Sequence, residues 1–275
     1  MYFRRNLIAA KARFLVSMKL YFRYPLKMLQ VIVDPLIWLT PFYFMSKTFA
    51  SGSSLQGFQQ YSGSSDYMGF LIIGYMITGY VNTAFWSMGF SLKEEMWQGV
   101  LESNWSAPVN RINLLISKSL FSFIACTVEN IITGIVCYFA FGFTINGRIL
   151  TFLAYLLPGV VGMLGLGIMI CALVLLAKEA NAVIDISSSL ISGLSGGFFP
   201  IKAMPRLFLM LALALPVTYL NDASRAILIG QTSILSLTLE FIIILASMFG
   251  FMVAGSFVFN LVERRSRAMG NLSGH

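Results

Sequence analysis

From Leu150 to Ala177 the chain reads LTFLAYLLPGVVGMLGLGIMICALVLLA, with no charged side chain. About 20 mainly apolar residues suffice to cross a bilayer as a helix, so this stretch is read as a membrane span rather than a strand or a soluble core helix. Five further stretches pass the same test, at roughly 28–48, 67–92, 114–143, 183–200 and 233–261. The whole chain agrees with this reading. Of its 275 residues 57% are hydrophobic and only 11% charged, and its mean hydropathy is +0.79. Soluble domains carry roughly 25% charged residues.

Two segments between and before these spans are helical without crossing. Residues 3–24 place Phe3, Leu7, Ala10, Phe14, Met18 and Tyr21 on one helical face and Arg5, Arg13, Lys19 and Arg23 on the other. That pattern predicts an amphipathic helix along the inner leaflet, acting as an anchor or as a lever toward a cytoplasmic partner. Residues 201–232 are apolar, but Pro205, Pro216, Asp222 and Arg225 divide them into pieces too short or too polar to cross, so they read as an extracellular re-entrant or interfacial hairpin. The expected fold is an all-α polytopic membrane protein. It has six transmembrane helices, an N-terminal amphipathic interfacial helix and a re-entrant helical hairpin between helices 5 and 6, within a single domain over residues 1–275.

The net charge of +8 orients this fold. Lys and Arg collect before the first span, in the loop after the second, at Lys178 and in the tail at Arg264, Arg265 and Arg267, and this side holds 14 of the 19 basic residues. By the positive-inside rule both termini are cytoplasmic, and the positive charge is a topology signal rather than a nucleic-acid surface. Catalysis and metal binding find little support. Cys126, Cys137 and Cys171 lie in apolar runs without C-x-x-C spacing, and the one histidine is His275, which argues against a zinc site, a redox pair or a histidine-based triad.

Two polar segments carry the functional reading. The loop 93–111 holds Glu94, Glu95 and Glu102 of the 11 acids and Trp97 and Trp105 of the 4 tryptophans, with Gly99, Leu101, Pro108 and Arg111 as its other marks. A short helix of acids and large aromatics over 93–104 is a docking element, and the alternative is a solvated loop anchored by its tryptophans. The second block runs from Gly196-Gly197-Phe198-Phe199-Pro200 through Pro216-Val217-Thr218-Tyr219 to Arg225.

Together these blocks resemble ABC-2 type permeases, the membrane subunits of a class of ATP-driven exporters (a type V exporter-like fold). Acids followed by Gly-x-Leu-Glu and a Pro before the third span are similar to that family's cytoplasmic loop. The Pro-x-Thr-Tyr segment followed by Arg is similar to its hairpin. Val100 stands where many members have Thr. The resemblance implies a dimer of permease subunits, identical or different, working with two ABC nucleotide-binding subunits in a prokaryotic plasma (inner) membrane. Glu94, Glu95, Gly99, Leu101, Glu102, Pro108 and Arg111 would couple to the ATPase, and Pro200, Pro216, Thr218, Tyr219 and Arg225 would form the hairpin. The cargo it implies is a lipophilic or amphipathic molecule such as a drug, antibiotic, lipid or lipid-linked glycan. Leu194-Ser195-Gly196-Gly197 matches the start of the ABC ATPase signature by chance, because it lies in an apolar helix and the chain has no G-x-x-x-x-G-K-[ST]. ATP and Mg therefore belong to the partner, and the chain carries no cofactor or metal of its own.

Within the spans, Glu129 and Asn130 stand near the middle of the third, where a carboxylate is costly and faces protein or water. Glu129 is a site for a cationic group or proton, or else a neutral acid or a buried partner for a base such as Arg225. Ser188, Ser192 and Gly196 recur at four-residue spacing in the fifth span, either for close helix packing or as one wall of a cargo path. The glycines Gly159, Gly162, Gly165 and Gly167 in the fourth span indicate close packing, and Pro35 and Pro41 a kink in the first. Asp185 and Glu240 fall near span ends, where solvated or interfacial carboxylates are the rule. A secondary transporter or channel working through Glu129 is the competing reading of these residues.

Overall fold

A computed structural model of the chain describes residues 2–23, 25–49, 56–97, 111–145, 147–177 and 179–268. All secondary structure among them is helical. In chain order the helices are α1 (Tyr2–Arg23), α2 (Pro25–Phe49), α3 (Gln56–Ser62), α4 (Tyr67–Phe85), α5 (Ser91–Trp97), α6 (Arg111–Phe141), α7 (Ile149–Ala177), α8 (Ala180–Leu194), α9 (Arg206–Ala214), α10 (Pro216–Ile229) and α11 (Leu237–Ala268). Five helical runs are long and apolar enough to cross a membrane: Leu26–Phe49, Tyr67–Glu95, Ile112–Phe141, Ile149–Ala177 and Leu237–Ser266. The first, third and fourth agree with the expected spans to within a few residues. The last begins four residues later than expected and runs further.

Two of these runs form the interior. In the apolar windows of α4 and α7, 67% of residues are buried, against 11% in α2 and α11. The outer pair therefore turn their apolar surface toward lipid or another chain. The contact between α7 and α11 depends on missing side chains. A Cβ on Gly165 would stand 2.5 Å from the Phe251 carbonyl carbon and 2.6 Å from the Met252 nitrogen, and a Cβ on Gly255 would strike the Gly165 carbonyl oxygen. Without a hydrophobic effect between helices in lipid, such backbone proximity maximises dispersion contact.

The expected fifth span is where the fold departs from the sequence reading. Helix α8 ends at Leu194 after 15 residues, roughly 22 Å at 1.5 Å per residue, against a hydrocarbon layer of about 30 Å. Its end is set by Gly196, whose φ of 71° is left-handed and stops the helix. The chain then passes a short 3-10 turn, Ile201–Ala203, into α9 and α10, which meet at 87°. Pro216 opens α10 and has no N–H to give back to α9. Side chains replace it: the Thr218 hydroxyl donates to the Ala212 carbonyl at 2.6 Å, and the Tyr219 hydroxyl to the Leu213 carbonyl at 2.8 Å. The expected helical hairpin is thus present, and the fifth expected span, 183–200, is a shorter apolar helix than expected, Ala180–Leu194.

A second departure concerns the loop after the second span. Helix α4 continues through a π-helical turn, Trp86–Phe90, directly into α5, so residues 67–97 are one helical run. The first part of the expected surface helix is therefore the extension of a span, not a separate element lying on the membrane.

Gly165→Val should overpack the α7–α11 contact and cost about 1–3 kcal/mol, read as a lower unfolding temperature in detergent. Gly250→Ala, where a Cβ meets no atom within 4 Å, should leave that temperature unchanged.

Candidate functional site

The hairpin supplies the most completely bonded polar group described. Arg225 of α10 is 3% exposed, and its guanidinium donates to three carbonyls: Nε to Phe70 at 3.1 Å, Nη1 to Gly196 at 2.8 Å and Nη2 to Gly197 at 2.6 Å. Its Cζ lies 3.4 Å from the Phe70 ring centroid. A guanidinium presents its donors as a rigid fork, so one side chain ties the start of α4 to the end of α8. One turn earlier, Asn221 donates to the Ser195 carbonyl at 3.2 Å. Asp222 accepts from the Gln231 amide at 3.2 Å and the Ile234 N–H at 2.6 Å. Across from it Glu240 is fully buried and accepts from the Leu235 N–H at 3.1 Å, because the chain entering α11 folds back over it. Expected as a solvated or interfacial carboxylate, Glu240 is instead buried in protein, whereas Asp185 is exposed.

These bonds settle two of the sequence readings. Arg225 is committed to backbone carbonyls on the hairpin side and does not pair with Glu129. Gly196 belongs to the same junction and is not in the wall of the larger cavity described below. Thr218 and Tyr219 cap α9, and Pro216 makes its bend. The polar marks of the hairpin are there to fix backbone.

The other polar side chains line two cavities that meet. The larger, about 630 Å³, lies between α2, α4, α6 and α8; Asp34, Thr78, Glu129, Asn130, Ser188 and Ser192 are in its wall. The smaller, about 560 Å³, reaches from Glu129 past the π-helical turn at Trp86 and Ser87 to Glu94. Lys27, Thr83 and Glu129 border both. At that junction the Tyr21 hydroxyl of α1 donates to Glu129 Oε1 at 2.8 Å, and the Lys27 ammonium sits 4.7 Å above the Tyr21 ring centroid. Burial and then the hydrogen bond to Glu129 raise the Tyr21 phenol above its ordinary range, keeping it a neutral donor. Helix α1 reaches this place because its apolar face packs on α6: the Phe14 and Tyr21 rings both lie edge-on to Phe121, at 5.5 and 5.7 Å. Part of the face expected to meet lipid meets protein instead.

Of the expected cargo-path residues, then, Glu129, Asn130, Ser188 and Ser192 share one cavity. The Asn130 amide also donates to the Met76 carbonyl at 3.2 Å, so it pins α6 to α4 as well. The sequence marks Lys27 only as an orienting charge, Asp34 only beside the Pro35 kink, and Thr78 not at all; that all three are cavity residues only the packing of α2 and α4 on α6 could reveal. Of the expected coupling residues, Glu94 and Glu95 lie on α5, and Glu94 pairs with Lys118 of α6 at 3.2 Å. Gly99, Leu101, Glu102 and Pro108 lie outside the described residues. Arg111 opens α6, and its side chain is not described.

The sequence matches the family of the ABC-2 type transporter over residues 11–229, from α1 through the last turn of α10. The chain belongs to that family. It is a transport permease, not a nucleotide-binding domain, and it is a multi-pass membrane component of an ABC transporter. No curated protein matches the chain. The matched residues contain the whole wall of the larger cavity, the π-helical turn and the Arg225 junction of the permease.

Replacing Arg225 in the permease by Met or by Lys should lower the unfolding temperature, since each carbonyl left without a donor costs about 1–3 kcal/mol and an ammonium cannot reproduce the fork. The exposed Arg206→Lys should have no effect in the same thermal scan.

Proposed function

We propose that the chain is the permease subunit of an ATP-driven exporter that moves an amphipathic or lipophilic molecule out of the cytoplasm, with ATP and Mg bound by separate ABC subunits. Two permease subunits, identical or different, would work with two such ATPases in a prokaryotic plasma membrane. Both termini would face the cytoplasm and the hairpin the outside.

The observation that supports this most is the unbroken helical run of residues 67–97. It borders the larger cavity at Thr78 and Thr83, passes the smaller one at Trp86, and ends in the acidic segment of Glu94 and Glu95. A displacement imposed on that segment by an ATPase would travel along one helix into the cavity wall. The π-helical turn gives the run a place to change pitch, as such turns do at functional sites. The Glu94–Lys118 pair, with side chains 47% and 27% exposed, is worth at most about 1 kcal/mol. Its part is to carry motion of α5 to α6, and with it to Glu129, rather than to hold the fold.

In this account the loop 93–111 docks on the ATPase through Glu94, Glu95, Gly99, Leu101, Glu102, Pro108 and Arg111. Ser188 and Ser192 of α8 face the cargo, and the short α8, hung from Arg225 at its outer end, is the wall that moves.

Purification of the tagged permease from native membranes should bring down a soluble ATPase with a G-x-x-x-x-G-K-[ST] motif, and transport should stop with vanadate. Transport that ignores vanadate and collapses with an uncoupler, with no ATPase recovered even after crosslinking at Glu94, would replace this account by secondary transport through Glu129.

A further inference from the structure

We propose that the cargo of the larger cavity is an amphipath whose head bears a protonated amine, which binds the Glu129 carboxylate through N–H donors in place of the Tyr21 hydroxyl. The proposal rests on the permease reading of that cavity and names the chemistry the cavity selects.

Glu129 is the first reason. Its side chain is half-buried in the middle of α6, and its partner among the described residues is a neutral phenol, not a base. A carboxylate at that depth is held at a cost unless a cation reaches it. The nearby ammonium, Lys27, lies over the Tyr21 ring on an exposed side chain. The charged residues in the wall of the larger cavity are Asp34, Glu129 and Lys27, two acids to one base, so an anionic head is repelled and a cationic one attracted. Because the carboxylate already accepts from an O–H at 2.8 Å, the group that displaces Tyr21 must itself donate, which favours an amine with N–H over a quaternary ammonium.

Two orphaned hydroxyls are the second reason. Thr78 and Ser192 line the same cavity from α4 and α8, each 8% exposed, and neither hydroxyl oxygen has a hydrogen-bond partner among the described residues. Buried polar groups without partners are costly in a native structure, and at this cavity wall a rotation of either side chain would let a bound head group supply the partner. The head that satisfies Glu129 therefore also carries hydroxyl or amide groups. Its apolar part lies toward Trp38 of α2, which is 63% exposed and borders the cavity on the side open to lipid or a second subunit. When the amine takes Glu129, Tyr21 is released and α1 loses its bond to the centre of α6. Cargo entry thus opens the junction of the two cavities.

The test uses full-length permease in phosphatidylcholine nanodiscs, with tryptophan fluorescence titrated by dodecylammonium, dodecanol and dodecyl sulfate. Partition into lipid is common to all variants, so differences between variants report the protein site. Wild type should bind dodecylammonium at least about tenfold more tightly than Glu129→Gln, the worth of one modest charged contact, while dodecanol should not distinguish them. Tyr21→Phe should bind dodecylammonium more tightly than wild type, because the competing donor is gone; a misfolded variant would not gain affinity. Equal affinity of wild type and Glu129→Gln for dodecylammonium, or wild-type affinity for dodecyl sulfate matching that for dodecylammonium, overturns the proposal. A complex with its ATPase that exports an anionic amphipath equally well with Glu129→Gln also overturns it, while leaving the permease reading intact. A site for dodecylammonium that needs Glu129 in a chain that recruits no ATPase would instead sustain the amine assignment and sink the permease reading.

Discussion

One guanidinium, that of Arg225, holds together the side of the molecule on which the hairpin lies. A buried cation needs its donors satisfied, and here the acceptors are main-chain carbonyls of Phe70, Gly196 and Gly197. Backbone acceptors do not change rotamer, so the contact fixes where α4 begins and where α8 ends. The short α8, the left-handed Gly196 and the right-angled meeting of α9 and α10 all serve this arrangement. Gly74 shows how close it is: a Cβ there would strike the Gly197 carbonyl, which Arg225 also holds. Asp222 and Asn221, on the same helix, extend the junction to the start of α11 and to Ser195.

Beyond that junction the interior changes character. The α7–α11 contact is dry and glycine-mediated, whereas the space between α2, α4, α6 and α8 is lined by hydroxyls, amides and carboxylates. Lipid does not solvate such groups, so the second region suits water and, as proposed above, a polar cargo head. The same α4 serves both: its hairpin end is gripped by Arg225, its middle forms the cavity wall, and its extension past the π-helical turn reaches the acidic segment. A helix fixed at one end and pushed at the other moves most near its pushed end, and the smaller cavity lies there.

Much of this was legible in the sequence, for identifiable reasons. Five spans follow from apolar length alone, and the hairpin showed because Pro205, Pro216, Asp222 and Arg225 divide residues 201–232 into pieces too short or too polar to cross. The fifth span is shorter than its apolar length suggests, because the left-handed Gly196, whose carbonyl Arg225 holds, ends the helix at Leu194. Glu240 was read as solvated or interfacial because nothing local shows that the chain entering α11 folds back to bury it. Glu129 stood out as an acid in a span, but its partner Tyr21 lies 108 residues away on a helix that was read as facing lipid. Pairings of that range are set by packing, which hydropathy and spacing do not encode.

The central claim is that the cavity beside α8 changes its access when ATP drives the partner subunits. The position to watch is Ser189, exposed in the wall of the larger cavity, in a chain whose own cysteines Cys126, Cys137 and Cys171 are buried. The measurement is the rate at which a charged, membrane-impermeant maleimide labels Ser189→Cys from the cytoplasmic side, in the complex without nucleotide and after trapping with ATP and vanadate. The account predicts fast labelling without nucleotide and a rate at least about tenfold lower in the trapped state, a closure worth about 1.4 kcal/mol or more. Equal rates in the two states would contradict it.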